Sequence, residues 1–275
     1  MLRYRIASAV ILIPIVLGSV YFGGLSFFAV ATVAMLIGGY EFFEMARRAG
    51  HRPITLFGLA LIALFLFDAF AHTDTSFKVV FGQESWLHEI VAAALVFSLG
   101  LAVFWREEDW IASWALTFAG ALYVGWLGAY AILVRDLPNG LIWTAIALVT
   151  VWATDTGAYF VGTRIGRHGF FTSISPKKTW EGAIGGIVLA TLTMLVLGSV
   201  FAGTDLLQLF VFGFGLSIAA TFGDLAESLL KRQTGVKDSG NIVPGHGGLL
   251  DRIDSLLFAA VFAYYYLVWV LRIVN

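Results

Sequence analysis

The chain has 275 residues, 59% of them hydrophobic and only 13% charged, with a mean hydropathy of +0.87; that is too little polar surface for a water-soluble domain of this size. It contains no cysteine, which excludes disulfides, zinc–thiolate centres and cysteine nucleophiles and leaves oxygen and imidazole as the available metal donors. A net charge of −1, with neither an RGG tract nor a basic stripe interleaved with aromatics, gives no field that would draw nucleic acid.

A membrane-crossing helix needs about 20 mostly apolar residues. Runs of that kind succeed one another at 5–24, 26–45, 54–71, 88–105, 110–134, 141–161, 183–203, 206–230 and 255–274. The fold class expected is therefore all-α, a polytopic integral membrane protein of about nine transmembrane helices with a polar cavity facing the cytoplasm. The first run follows Met1-Leu2-Arg3-Tyr4-Arg5 and has some of the look of a signal peptide. Its length, and the second run that follows at once, read as a retained span. Near the inner end of the second run, Glu41 and Glu44 read as interfacial; near the outer end of the third, Asp68 reads as solvated.

The sixth run contains Asp155, nine residues from the next charge at Arg164, or ~13 Å of helix rise. A carboxylate at that depth either lines a polar cavity or pairs with a basic loop residue. With the N-terminus inside, fourteen basic residues fall on the inner face: Arg3, Arg5, Arg47, Arg48, Arg52, Arg106, Arg164, Arg167, Lys177, Lys178, Lys231, Arg232, Lys237 and Arg252. Only Lys78, Arg135 and Arg272 fall outside, a bias that one miscounted central span would scramble. No repeat or long polar linker divides the chain, so 1–275 reads as a single membrane domain. A subdivision into N-terminal helices (1–105) and catalytic helices (106–275) is the alternative.

The polar residues gather in two inner loops and the helix ends beside them. The first loop, 163–182, reads TRIGRHGFFTSISPKKTWEG. Its Lys177 and Lys178 follow a Ser-Pro turn, and such a pair serves either to anchor the loop at the headgroups or to neutralise a polyphosphate. The second segment, 224–255, holds nine charged residues in 32 positions. Asp224, Glu227, Ser228 and Lys231 stand at i, i+3, i+4 and i+7 and share one helical face. Asp251, Asp254 and Ser255 repeat the spacing at the start of the last run.

Two D-x-x-[DE]-S faces with no thiol suit a hard cation such as Mg²⁺, which shares its oxygen shell with substrate phosphates. The plainer reading pairs these acids with Lys231, Arg232 and Arg252 as snorkelling helix-end charges. Between the two faces, Gly235, Gly240, Gly245, Gly247 and Gly248 make a backbone able to approach a ligand closely. His246 in that loop can donate to a phosphate, ligate a metal or simply order the turn. The chain has neither GxxxxGK[ST] nor GxGxxG, and His88-Glu89 lacks the second histidine of HExxH.

The pattern Ser228-x-x-Lys231-Arg232, then Lys237-Asp238, then His246-Gly247-Gly248, then Asp251-Arg252-Ile253-Asp254 closely resembles the signature of the phosphatidate cytidylyltransferases, or CDP-diacylglycerol synthases. The segment DTGAYFVGTRIG followed by SPKKTWEG, within 155–182, is similar to the same family. Val243 and Thr172 depart from its usual residues without removing a charge, and the first 150 residues match only in outline.

The resemblance implies transfer of CMP from CTP to phosphatidate, giving CDP-diacylglycerol and pyrophosphate, in a membrane-embedded homodimer with a Mg²⁺-dependent site and room for a second cation. On this reading Asp224 and Asp251 are the principal metal ligands, with Glu227 and Asp254 as neighbouring acids. Lys231, Arg232, Lys237 and Arg252 neutralise phosphates, helped by His246, Gly247 and Gly248, with Asp238 in the catalytic set, while Asp155, Lys177, Lys178 and Ser228 meet substrate. Two other classes stay open: a transporter, which would place broken helices at the midplane, and a membrane scaffold. Among lipid enzymes, a CDP-alcohol phosphotransferase would open with D-G-x-x-A-R, which is missing here.

Overall fold

The computed structural model describes residues 2–73, 75–81, 84–104, 109–242 and 247–274. It is built from helices: α1 Leu2–Phe22, α2 Gly24–Arg48, α3 Thr55–Ala71, a short α4 Thr75–Phe81, α5 Leu87–Ala102, α6 Trp110–Gly120, α7 Leu127–Asp136, α8 Gly140–Ile165, α9 Trp180–Phe201, α10 Leu206–Gln233 and α11 Leu250–Tyr265. A π-helical turn, Ala121–Trp126, joins α6 to α7 in one continuous rod, and another, Tyr266–Val270, extends α11.

Each of the nine apolar runs is a helix. Among the described residues, six of the resulting rods are long and apolar enough to cross a membrane, and Val10–Phe22 of α1, α3 and α5 are shorter apolar stretches. The apolar pattern did not announce α4. The last helix begins at Leu250, ahead of the apolar run, so that Asp251 and Asp254, read as standing at the start of that run, lie in its first turns.

The chain packs into two compact units, Met1–Asp136 with Gln233–Leu250, and Leu137–Arg232 with Asp251–Asn275. In the first, α2, α3 and the α6–α7 rod close around Phe43, Met45, Ile62, Leu66 and Val124, all buried. Glycine permits the approach: a Cβ on Gly125 would stand 2.8 Å from the Ile62 Cα. Asp68 is buried rather than solvated. Its carboxylate accepts from the Ser85 hydroxyl at 2.7 Å and the Trp86 N–H at 2.7 Å, with His72 Nδ1 3.2 Å away. It thereby satisfies the backbone at the entry to α5, which a charge left in water could not do.

In the second unit α8 and α9 form a close antiparallel pair. Along α9, Ile184, Val188, Leu192, Val196 and Val200 are all exposed at four-residue spacing, a stripe suited to lipid. Gly182, Gly186, Ala190, Met194 and Gly198 form the buried side. A Cβ on Gly186 would lie 2.7 Å from the Thr154 carbonyl oxygen, and one on Gly157 2.7 Å from that of Gly185. Small residues at such a seam let two backbones pack without lipid between them. On α10 and α11, Phe212 stacks on Tyr266 with ring centroids 4.8 Å apart, and the Tyr266 hydroxyl donates to the Gln208 carbonyl at 2.7 Å.

Candidate active site

The acid-rich face of α10 is built by helical spacing, and the second unit supplies it with partners. Ser228 Oγ lies 3.4 Å from Asp224 Oδ1. Glu227, fully buried, is ion-paired with Lys231 one turn on. The same lysine donates to Asp251 Oδ1 of α11 at 2.6 Å, so one ammonium bridges an acid from each D-x-x-[DE]-S face. The two helices meet so closely here that a Cβ on Gly223 would come within 2.6 Å of the Asp254 carbonyl. Asp254 is itself buried, and its Oδ1 accepts from the Ser255 N–H at 2.6 Å.

The loop between α8 and α9 is folded rather than slack. Phe170 N–H donates to the Lys178 carbonyl at 2.8 Å and Trp180 N–H to that of His168 at 2.9 Å, with an isolated antiparallel bridge between Gly169 and Thr179. Thr179 caps α9, accepting from the Gly182 N–H at 3.2 Å. Glu181 latches the loop from its other end: it accepts from the Arg167 N–H at 3.1 Å and the His168 N–H at 3.2 Å, and lies 2.6 Å from His168 Nδ1.

This frame aims Lys178 inward, where its Nζ lies 2.7 Å from Asp224 Oδ2. Lys177 next to it is exposed. Arg232 Nε donates to the Ile174 carbonyl at 3.1 Å, tying the same loop to the end of α10.

Asp155, halfway along α8, is exposed and within electrostatic reach of Asp224, Lys178 and Arg252. Asp254 is in turn within reach of Asp224, Lys231 and Asp155. A carboxylate open to its surroundings in the middle of an apolar span is tolerable when it faces a polar cavity rather than acyl chains.

The second unit thus brings together Asp155, Lys178, Asp224, Glu227, Ser228, Lys231, Arg232, Asp251, Arg252 and Asp254. Lys237 and Asp238 are exposed on the loop after α10, and Gly247 and Gly248 lie before α11. All four belong to the first unit. His246 lies outside the described residues.

Among the described residues no group of three or more acids or histidines closes around a metal position. A hard cation that arrives on a polyphosphate needs only one or two protein carboxylates. Asp224 and Asp251 have the chemistry for this, each being an oxygen donor set beside a lysine that leaves the local charge near balance.

Two acids were not picked out by sequence reasoning. Glu181 is one. The other is Glu41, which is 2% exposed rather than interfacial, and which accepts hydrogen bonds from the loop ahead of α11. One signal was available: Glu41 stands three residues after Gly38 and four before Met45, both on the buried face of α2, whereas Glu44 turns outward to Arg47 at 2.8 Å.

Residues 3–270 match the model of the cytidylyltransferase family. The chain is similar to the phosphatidate cytidylyltransferase of Bacillus subtilis, 36% identical over 275 residues covering 97% of each chain. It is also similar to that of Synechocystis sp., 32% identical over 302 residues covering 98% of each. The Haemophilus influenzae enzyme of the same name is 32% identical over 292 residues, covering 98% of this chain and 100% of the relative. From α1 to the end of α11, then, the chain belongs to the cytidylyltransferase family.

Proposed function

We infer that the protein transfers CMP from CTP to phosphatidate, forming CDP-diacylglycerol and releasing pyrophosphate. The observation that carries this reading is the end-to-end similarity to phosphatidate cytidylyltransferases, in a chain whose ionisable residues gather on α8, α10 and α11. In the reaction an oxygen of the phosphatidate phosphate attacks the α-phosphorus of CTP, and the bond from that phosphorus to the bridging oxygen of pyrophosphate breaks. A phosphate monoester has a second pKa of about 6 and is mostly ionised at neutral pH. No strong general base is required, and the obstacle is the approach of anion to anion.

Lysine and arginine held in place supply the answer. Lys178, Lys231, Arg232 and Arg252 surround the acids with positive charge that needs no reorganisation as charge moves from nucleophile to leaving group. Lys237, His246, Gly247 and Gly248 are assigned to substrate phosphates on the family resemblance, and Asp238 to the catalytic set as part of the same motif. Asp224 and Asp251 would hold Mg²⁺, with Glu227 and Asp254 beside them. When bound, that ion screens the polyphosphate and stabilises departing pyrophosphate. Glu227, tied to Lys231, and Ser228, beside Asp224, keep the two faces in register. Asp155, within electrostatic reach of Lys178 and Asp224, lines the substrate site. The homodimer and any second cation rest on the resemblance as well.

The test is purified protein in detergent or liposomes given CTP labelled in the cytosine ring, with phosphatidate and Mg²⁺. Label should move into the lipid phase, and only when phosphatidate is present. A protein that moves no label under these conditions, yet is folded, overturns the reading. Transport and scaffold readings both predict that outcome.

A further inference from the structure

Between α10 and α11, residues 234–242 and 247–249 belong to the first unit, and one carboxylate draws both stretches together. Glu41 Oε2 accepts from the Leu250 N–H at 2.8 Å and from the Ser239 hydroxyl at 3.2 Å. Its Oε1 accepts from the Leu249 N–H at 3.0 Å. Ser239 is as buried as Glu41 itself.

The loop fits around this carboxylate without space for a side chain. A Cβ on Gly240 would stand 2.7 Å from the Glu41 Cδ, and one on Gly248 2.6 Å from its Oε2. Leu249 and Leu250 are the residues at which the last helix starts, and N–H groups there have no partner within the helix. An anionic acceptor at that end satisfies two of them and interacts favourably with the helix dipole. A buried charge is retained at such a depth only when its hydrogen bonds are complete.

Asp251 and Asp254 follow Leu250 by one and four residues along the same helix. We propose that Glu41 is a positioning residue for the reaction: it holds Ser239, Gly240, Gly248 and the first turn of α11 in place, and thereby the direction in which Asp251 is presented. It touches neither substrate nor metal. The inference rests on the reading of Asp251 as a site residue given under Proposed function.

The experiment compares Glu41→Gln, Glu41→Asp, Gly240→Ala and Asp251→Asn in purified protein. Readouts are kcat, KM for CTP, thermal unfolding, and amide exchange of residues 239–242 and 247–250. Glutamine offers one acceptor oxygen and turns an NH₂ toward N–H donors, so Glu41→Gln should lower kcat by about tenfold or more with KM for CTP changed less than about twofold. Helix content and melting should stay close to wild type while the 247–250 amides exchange faster.

Aspartate keeps both acceptor oxygens and should recover part of kcat. Gly240→Ala leaves Glu41 intact but wedges the loop from the other side. It should reproduce the kcat-selective loss, and it decides the matter if Glu41→Gln does not fold. Wild-type kcat in Glu41→Gln, or in Gly240→Ala when that variant decides, overturns the proposal. So does a loss that merely tracks melting and is equal in the aspartate variant. If Asp251→Asn is inactive while Glu41→Gln is not, the site reading stands and this inference fails; wild-type activity in Asp251→Asn defeats the site reading itself.

Discussion

At the scale of single residues, the structure separates side chains that the sequence could only group. Lys177 and Lys178 are neighbours with equal claims on paper, but Lys178 reaches Asp224 at 2.7 Å and Lys177 is exposed. Lys178→Ala should therefore cut kcat/KM for CTP by about tenfold or more, and Lys177→Ala by less than about threefold. Steady-state kinetics in which the two variants are equally impaired would remove the distinction. Asp224→Asn and Asp251→Asn should each lower kcat at least tenfold, about 1.4 kcal/mol of barrier, in protein that still purifies as a folded species. More than about a tenth of wild-type turnover at saturating Mg²⁺ counts against either as a ligand. Asp155→Asn preserves shape but takes one negative charge away from Asp224, Lys178 and Arg252. A fall in kcat/KM is expected, and unchanged kinetics would leave Asp155 a structural residue.

Among the secondary-structure elements, the closest constraint is the α8–α9 seam. A side chain at Gly186 meets the Thr154 carbonyl, a backbone atom that can yield only if the helices separate. Gly186→Val should then destabilise the protein by roughly 1–3 kcal/mol, the usual cost of overpacking, seen as a lower melting temperature in detergent. Val188→Ala, two residues on and facing outward, should shift it hardly at all. Equal effects would mean that α9 does not pack by its glycine face.

The pairing of α8 with α9 was not written in hydropathy, since neither helix divides into a polar and an apolar face. The small residues on one side of α9 are the legible trace. The loop between them was legible as charge and turn chemistry, but its bridge at Gly169 and Thr179 and its Glu181 latch were not, because they depend on backbone geometry rather than on residue type. Glu41 escaped for a different reason. An acid near a helix end normally snorkels, and what makes this one buried is a loop about 200 residues away in the chain.

For the whole molecule, hydropathy was the strongest signal, since lipid forces every crossing segment to satisfy its own backbone and so to be a helix. All nine runs are helices, and the charged residues in 155–178, 224–232 and 251–254 belong to one packed unit. What hydropathy alone cannot convey is that residues 233–242 and 247–250, Lys237 and Asp238 among them, pack with the N-terminal helices.

Charge predicts the orientation. Fourteen of the basic residues fall on one side of the nine-span arrangement and three on the other; moving them across an energised membrane is unfavourable, so the basic side should be cytoplasmic. The chain's lack of cysteine makes this directly measurable, because each single-cysteine variant reports one position without background. Thr172→Cys and Thr234→Cys, in the two basic loops, should react with a membrane-impermeant maleimide only after the inner face is opened. Thr204→Cys, between α9 and α10, should react in intact cells. Thr172 and Thr204 labelled from the same side would mean that α9 does not cross. Full inversion would place the lysines and acids on the face without CTP, where the proposed reaction has no nucleotide to use.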